Sequence, residues 1–397
     1  LTSITIPEGL TEISVAAFIN CSALTSITIP EGVTEIGKSA FYGCSVLTSI
    51  TIPDGVTSIK EHAFCDCTSL TNITIPNGVT SIEGYAFYNC SSLTSINIPE
   101  GVTEIGRTTF LGCSSLTSII IPNSVTSIGY GAFFNCSSLT SIIIPDRVTS
   151  IGEMAFSGCS ALTSITIPEG VTEIGRGAFQ GCSLTNIDIP EGIKKIEGFV
   201  FNSCSSLTSI TIPDGVTSIG EYAFNCCSTL TNISIPNSAT SIGERAFFNC
   251  YSLVEVTCEA TNPPTLGLDC FTEIASSSTL IVPTGCTTAY SESDWAQYFT
   301  TIDDGEEHGS YENGVATVVT AGTLSTLIPE DEKYTITTLK VVGPLNGDDI
   351  RFIREMAGRD VSGNETEGKL VDLDMSEATI VEGGGDYYED YNTQNNI

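Results

Sequence analysis

The chain has 397 residues, 41% of them hydrophobic, which is enough apolar surface for an extensive buried core. It carries 14 Lys and Arg against 47 Asp and Glu, a formal net charge of −33. Such a negative field repels phosphate groups, so the composition argues against nucleic acid and anionic membranes as partners.

Residues 1–252 repeat one motif. Leucine opens each copy, and the step between copies is 23 residues except for one step of 22. The opening residues are Leu1, Leu24, Leu47, Leu70, Leu93, Leu116, Leu139, Leu162, Leu184, Leu207 and Leu230. A fixed period of this size predicts a solenoid, in which each copy is one coil that stacks on its neighbours.

One coil contains two short strands. In the copy from Leu24, LTSITI alternates apolar and polar residues, which predicts a strand with Ile27 and Ile29 pointing inward. Pro30 ends this strand because it cannot donate a hydrogen bond to a sheet. Val33 and Ile36 form a second, shorter apolar pair, which we expect on the opposite wall.

Bends and a plug complete the coil. Gly37 is expected to allow a bend, and Phe41 to fill the end of the coil. In the copies that begin at Leu1 to Leu162, one later position holds residues that tolerate a positive φ, so we predict a left-handed corner there. Its occupants are Asn20, Gly43, Asp66, Asn89, Gly112, Asn135, Gly158 and Gly181.

A cysteine follows that corner in every copy. The column is Cys21, Cys44, Cys67, Cys90, Cys113, Cys136, Cys159, Cys182, Cys204, Cys227 and Cys250. Equivalent side chains in stacked coils lie about 4.8 Å apart and point the same way, a geometry unsuited to disulfides. We therefore predict free, buried thiols. Cys65/Cys67 and Cys226/Cys227 could be metal-binding pairs, but their spacing is not typical of such sites.

The unit L-x-x-I-x-I-P-x-x-V-x-x-I-G-x-x-A-F-x-x-C-x-x resembles the BspA-like, or Treponema pallidum-type, leucine-rich repeats. The resemblance implies a right-handed, β-rich α/β solenoid with 23-residue coils. It also implies a surface protein of a gut or oral bacterium, of the Bacteroidetes, with a role in adhesion. We expect an extracellular or cell-surface location, with a signal or anchor outside this sequence.

The remaining sequence departs from the period. Residues 253–304 resemble the terminal capping coil of such arrays, with a last strand and a helix anchored by Trp295. Residues 305–313 read as an acidic linker. Residues 314–397 are predicted as a small α/β segment that resembles the N-terminal cap of a second repeat array.

Two elements are predicted within that segment. TITTLKVV, residues 335–342, is a strand candidate, and NGDDIRFIREMA, residues 346–357, is a helix candidate with Asp348 near its N-cap. Residues 369–381 again fit the leucine-rich pattern. The tail 383–397 would then be a junction to further repeats.

The outward face of the longer strands is the candidate binding surface. It presents columns of Ser and Thr, which is also what good strand-forming residues and recent duplication would leave. Ile120 and Ile143 interrupt one column side by side, and Asp188 lies two coils further on. The predicted surface comprises Thr74, Asn97, Ile120, Ile143, Thr166, Asp188 and Thr211.

Nothing in the sequence favours catalysis. The chain has only two histidines, His62 and His308, and catalysis needs unlike groups that converge. Acids recur after the strand proline, so Glu8, Glu31 and Asp54 are a weak candidate for Ca²⁺, although solvated turn residues explain them better. No catalytic residue and no cofactor is predicted.

Two functions remain open. The first is a non-enzymatic surface or secreted protein that binds host or matrix proteins or glycoproteins, and we expect such a chain to be a monomer. The second is a passive spacer that presents another module of a longer protein. A glycan-processing enzyme would need paired carboxylates, and the repeats offer no pair that stands out.

Overall fold

The computed structural model describes residues 2–305, 309–360 and 362–384. These residues form two compact units, Leu1–Gly305 and Glu306–Ile397. The first unit is a parallel solenoid with 23-residue coils, as the repeat predicts. The second is a small sheet with helices.

One wall of the solenoid is built from the longer strands. Neighbouring coils pair in parallel and in register, so that Ser49 lies beside Asn72 and Thr51 beside Thr74. The strands are Ser3–Thr5, Ser26–Thr28, Ser49–Thr51, Asn72–Thr74, Ser95–Asn97, Ser118–Ile120, Asn232–Ile235, Glu255–Cys258, Thr279–Ile281 and Thr301–Asp303. Between Ile120 and Asn232 the pairing is reduced to single bridges, namely Ile143 with Thr166, Asp188 with Thr211 and Thr211 with Ser234. We call this surface the long-strand wall.

The second wall, here the short-strand wall, has two-residue strands. They are Glu12–Ile13, Glu35–Ile36, Ser58–Ile59, Ser81–Ile82, Glu104–Ile105, Ser127–Ile128, Ser150–Ile151, Glu173–Ile174, Lys195–Ile196, Ser218–Ile219, Ser241–Ile242 and Thr265–Leu266. Their isoleucines are buried and the residues before them face outward. This pattern matches the inward and outward positions that the sequence predicts.

The core lies between the walls as columns of identical side chains. Leu116, Phe133 and Cys113 are all 0% exposed. The phenylalanine rings stack along the solenoid, with 5.5 Å between the centroids of Phe110 and Phe133 and 5.3 Å between those of Phe133 and Phe156. Removing one ring therefore leaves a cavity between two others.

The predicted left-handed corner is present, and a second one was not foreseen. Asn20 has φ 55° and Gly43 has φ 71°, as predicted. The residue before the Ala-Phe pair also has a positive φ, for example 55° at Ser39 and 61° at Tyr85. There the N–H of Tyr85 donates to the carbonyl of Arg107 in the next coil at 3.0 Å. This hydrogen bond between coils offsets the strain of a conformation that non-glycine residues rarely adopt.

The stretch 253–304 continues the array further than one coil. Three strands extend the long-strand wall, the last being Thr301–Asp303. An α-helix, Thr287–Ser291, is followed by a separate 3₁₀ helix, Asp294–Gln297, and Trp295 belongs to the second. Trp295 is 0% exposed, and its Nε1 donates to the carbonyl of Pro264 at 2.9 Å.

The second unit has a four-stranded sheet. In sheet order the strands are Ser310–Glu312, Val315–Thr317, Thr338–Leu345 and Asp372–Ile380, with only the first pair antiparallel. The helices are Leu324–Leu327 and Gly347–Met356. Ser310–Glu312 is thus a strand where the sequence predicts linker.

The long helix of the second unit begins as predicted, with Asp348 near its N-cap. Asn346 is the N-cap and its side chain accepts from the N–H of Asp348, while Asp349 completes a capping box. Asp348 is the second helical residue. His308 and most of the predicted junction, residues 385–397, lie outside the described residues.

Candidate binding surfaces

The predicted binding residues form one column on the long-strand wall. Strand register places Asn97 beside Ile120, Ile143 beside Thr166 and Asp188 beside Thr211. All seven predicted residues are exposed: Thr74, Asn97, Ile120, Ile143, Thr166, Asp188 and Thr211. The column is continuous because each coil presents the same position to solvent.

Two isoleucines stand out on that column. Ile120 is 64% exposed and Ile143 is 82% exposed, in adjacent coils whose neighbouring columns are polar. By contrast, Ile119 and Ile142, one residue earlier in each coil, are 6% and 5% exposed. The outer isoleucines therefore add nothing to the core and form a small apolar patch in solvent.

Thr74 and Asn97 border a shallow polar recess on the same wall. Its volume is about 420 Å³, and Asn72, Asn77 and Ser95 also line it. Amide and hydroxyl groups dominate its rim. The recess therefore supplies hydrogen-bonding groups next to the isoleucine pair, because Asn97 lies beside Ile120.

A larger groove lies on the short-strand wall and was not predicted. Its volume is about 660 Å³, and it runs across the coils that contain Ser127, Ser150 and Glu173 to the coil that contains Lys195. Gly129, Gly152 and Gly175 lie along it. We call this surface the glycine groove.

Close approach of successive coils explains these glycines. A Cβ on Gly175 would lie 2.4 Å from the backbone nitrogen of Glu153, and one on Gly37 would lie 2.5 Å from the carbonyl of Ile13. Neither glycine has a positive φ. The lack of a side chain at Gly37 therefore allows close contact between coils, and its backbone conformation does not itself require glycine.

Charge is concentrated at one end of the glycine groove. Glu153, Glu173 and Glu197 line it together with three bases. The bases are Arg176, Lys194 and Lys195. Arg176 donates to Glu221 at 2.7 Å and lies 4.3 Å above the ring of Phe199. Six charges of balanced sign thus line one groove of a chain whose net charge is −33.

The acid row does not form a metal site. Glu8, Glu31 and Asp54 are exposed on separate turns. Among the described residues, no group of three or more His, Cys, Asp or Glu side chains could hold a metal ion. His62 instead packs within the array, its ring stacked 4.6 Å from that of Tyr85.

All 16 cysteines are free, as predicted for the column. Cys113 donates its S–H to the carbonyl of Phe87 at 3.2 Å, and burial raises the pKa of Cys113 to about 12. The Cys113 thiol is thus protonated and poorly reactive at neutral pH. A serine at Cys113 would also have the Phe87 carbonyl as a partner.

Comparison with known families identifies the family to which the repeats belong. The chain matches the family described as BspA type Leucine rich repeat region (6 copies) over residues 1–107, 80–205 and 194–293. The chain belongs to this family. No curated protein gives a significant match.

Solved structures agree with the family. A leucine-rich repeat protein from Bacteroides ovatus is 29% identical, with a TM-score of 0.54, over 75% of this chain and 90% of that one. A leucine rich cell surface protein from Faecalibacterium prausnitzii is 35% identical, with a TM-score of 0.44, over 65% of this chain and 88% of that one. The Bacteroides ovatus structure thus fits the solenoid described above. The bacterial group of origin stays a prediction.

In the part of the chain that the structure describes, no helix combines the length and the apolar character that a bilayer crossing requires.

Proposed function

We propose that the array is a non-enzymatic binding module at a cell surface or in a secreted protein. Its long-strand wall contacts a protein or glycoprotein of a host cell or its matrix. The observation that carries this proposal is the exposure of Ile120 and Ile143, 64% and 82%, on an otherwise polar sheet. An apolar centre with a polar rim is typical of protein interfaces.

The strength of such a contact follows from the area that the pair can bury. Full burial of one isoleucine side chain contributes about 1.5–3 kcal/mol. Two side chains alone therefore give weak binding once the loss of translational freedom is included. Many copies on one cell surface would raise the avidity without new contacts.

Irregular coils also give the wall a defined position for a ligand. Coils that present Thr28 and Thr51 at the same register position are equivalent, so a partner could slide along them. Ile120, Ile143 and Asp188 break this equivalence. A ligand that contacts them is held at one place on the array.

A paired substitution tests the proposal. The double variant Ile120→Asp, Ile143→Asp should lose adhesion to epithelial cells and to immobilised matrix proteins. The control Thr28→Asp, Thr51→Asp places the same charges at the same register position in uniform coils and should keep adhesion. Both variants should melt within a few degrees of the wild type, since the replaced side chains are exposed.

Two results would contradict it. Unchanged adhesion of the isoleucine variant would show that Ile120 and Ile143 are not part of the contact surface. Equal loss in both variants would show that added charge, and not the isoleucine pair, disturbs adhesion.

A passive spacer is the second candidate, and the near-identity of successive coils favours it. A spacer needs length and stiffness, which stacked coils supply without a contact surface. Absence of adhesion in the wild type as well as in both variants would support this function.

We also propose roles for the remaining segments. Residues 253–304 cover the last core layer of the array 1–252. Trp295 is fully buried there, and its ring centroid lies 5.3 Å from that of Phe271. Residues 314–397, together with the strand Ser310–Glu312, open a second repeat array. Deletion of 253–304 should expose apolar surface and cause aggregation.

A further inference from the structure

The coil that begins at Leu184 departs from the repeat at the glycine groove. It follows the single 22-residue step, and it contains Lys194 and Lys195, the only adjacent pair of bases in the chain. Lys194 stands where the preceding coil has Thr172 and Lys195 where it has Glu173. Exact duplication of the preceding coil would have kept Thr and Glu at these positions, so this coil differs from its neighbours in charge.

The two ammonium groups are available to a ligand. Both side chains are exposed, and within the described part of the chain neither has an ion-pair partner. Lys194 makes only a long hydrogen bond of 3.4 Å to the carbonyl of Glu191. A carboxylate in the groove would therefore gain charge-assisted hydrogen bonds without breaking an existing salt bridge.

The backbone of the groove offers little to a peptide. Ser127 and Ser150 lie in parallel strands that are paired with the coils on both sides. The sheet ends at the strand Glu173–Ile174, and the strand Lys195–Ile196 begins the next sheet. Each of these two edges is only two residues long, which is too short for an extended peptide to add as a strand. Recognition must come from side chains, namely hydroxyls, carboxylates and ammonium groups.

We propose that the glycine groove binds an acidic oligosaccharide. The sugar carboxylate lies against Lys194 and Lys195, and the sugar hydroxyls donate to the carboxylates of Glu153 and Glu173. The volume of about 660 Å³ is in the range of small-ligand sites. Long-range repulsion from the acidic chain is screened beyond about 8 Å at physiological ionic strength, so the groups that line the groove decide the specificity.

This site goes beyond the proposed contact on the long-strand wall and does not depend on it. Its variants lie on the other wall, so each proposal can fail alone. Loss of cell adhesion in the isoleucine variant says nothing about the groove, and the reverse also holds.

Calorimetry on the full chain tests the groove with defined probes. The acidic probes are 3′-sialyllactose and trigalacturonate, and their neutral counterparts are lactose and the methyl ester of trigalacturonate. At least one acidic probe should bind, at least about tenfold more tightly than its neutral counterpart. Lys195→Gln should weaken that binding about tenfold, because one charge-assisted hydrogen bond is lost.

Matched controls separate a groove effect from a general one. Lys38→Gln removes the same charge from a coil outside the groove, where Lys38 is already paired with Glu61, and should not change binding. Ser150→Phe fills the middle of the groove and should abolish binding. Ser81→Phe changes the same register position outside the groove and should leave it intact.

Four outcomes would overturn the proposal. In the first, neither acidic probe binds the wild-type chain. In the second, each neutral probe binds as tightly as its acidic counterpart. The other two concern the lysine variants and an acidic peptide. Lys195→Gln and Lys38→Gln have equal effects on a probe that does bind. A hexaglutamate peptide binds more tightly than both sugars, which would assign the groove to acidic peptides instead.

Discussion

The interiors of the two units satisfy their polar groups in different ways. In the array, a thiol in each coil donates to a backbone carbonyl of the preceding coil, as Cys113 does to Phe87 at 3.2 Å. In the second unit, one buried carboxylate accepts hydrogen bonds from backbone N–H groups. Asp349 is 1% exposed and accepts from the N–H groups of Leu324 at 2.9 Å and Asn346 at 3.0 Å.

The difference predicts how each unit fails. The array spreads its stability over repeated contacts, so a condition that acts on every thiol should affect it strongly, while one thiol matters little. In the second unit, hydrogen bonds to the single residue Asp349 join two helices and a strand end. Trp295, the only tryptophan, lies in the array. Its fluorescence therefore reports the unfolding of the array separately from that of the second unit.

Alkaline pH should give the largest effect. Burial raises the pKa of Cys113, Cys159 and Cys204 to about 12, from an ordinary value of 9.0. Their contribution to stability is full below pH 9 and is lost as the pH rises from 9 to about 12. For each such thiol, the free energy of unfolding should fall by about 1.4 kcal/mol per pH unit in that window. Urea unfolding under reducing conditions measures this change.

A thiol-depleted variant controls for general charge repulsion. Replacing Cys113, Cys136 and Cys159 by alanine should remove the contribution of three thiols to the pH dependence. The free energy of unfolding of the array should then fall less steeply as the pH rises. The second unit contains no cysteine and should not show this dependence. Equal sensitivity of the variant and the wild type would refute the role of the thiols.

Loss of one stacked ring should have the next largest effect. Phe133→Ala removes a fully buried side chain between Phe110 and Phe156 and should destabilise the array by about 3–5 kcal/mol. The midpoint of the Trp295 fluorescence transition in urea measures it. Phe352→Ala, in the second unit, is the control and should leave that midpoint in place. A loss below about 1 kcal/mol for Phe133→Ala would mean that neighbouring coils close the cavity.

Asp349→Ala should destabilise only the second unit. The N–H groups of Leu324 and Asn346 would lose their acceptor, at a cost of about 1–3 kcal/mol. Circular dichroism should show an earlier transition, while the fluorescence of Trp295 is unchanged. Asp349→Asn keeps an acceptor oxygen and should cost less. Equal losses in both variants would contradict the hydrogen-bonding role.

A single thiol should give the smallest effect. Cys113→Ser should cost about 1 kcal/mol, because its hydroxyl can still donate to the carbonyl of Phe87. Urea unfolding followed by Trp295 fluorescence measures the change. A loss above about 3 kcal/mol would mean that the hydroxyl cannot reach that carbonyl.

Periodic features of the array were predictable because identical residues recur at identical positions. The buried columns that include Leu116, Phe133 and Cys113 follow directly from the 23-residue step. The corner at Asn20 and Gly43 was predictable because both residue types tolerate a positive φ. The second corner was not, since Tyr85 and its equivalents rarely adopt that conformation and do so here for a hydrogen bond between coils.

Features that depend on several coils together could not be predicted in the same way. The isoleucine pair was visible as a break in one column, at Ile120 and Ile143. The glycine groove needs neighbouring coils to be placed side by side, and its glycines were taken for bends. Lys194 and Lys195 were a usable signal, because they interrupt two polar columns at one coil.

A coil-by-coil scan of adhesion tests the central claim, that the isoleucine pair is the contact. Single aspartate substitutions would be made along one exposed column, at Thr28, Thr51, Thr74, Asn97, Ile120, Ile143, Thr166 and Thr211. We expect the loss of adhesion to peak at Ile120 and Ile143 and to fall away on both sides, with melting temperatures unchanged. A flat profile, or a peak at Thr28 or Thr51, would contradict the claim.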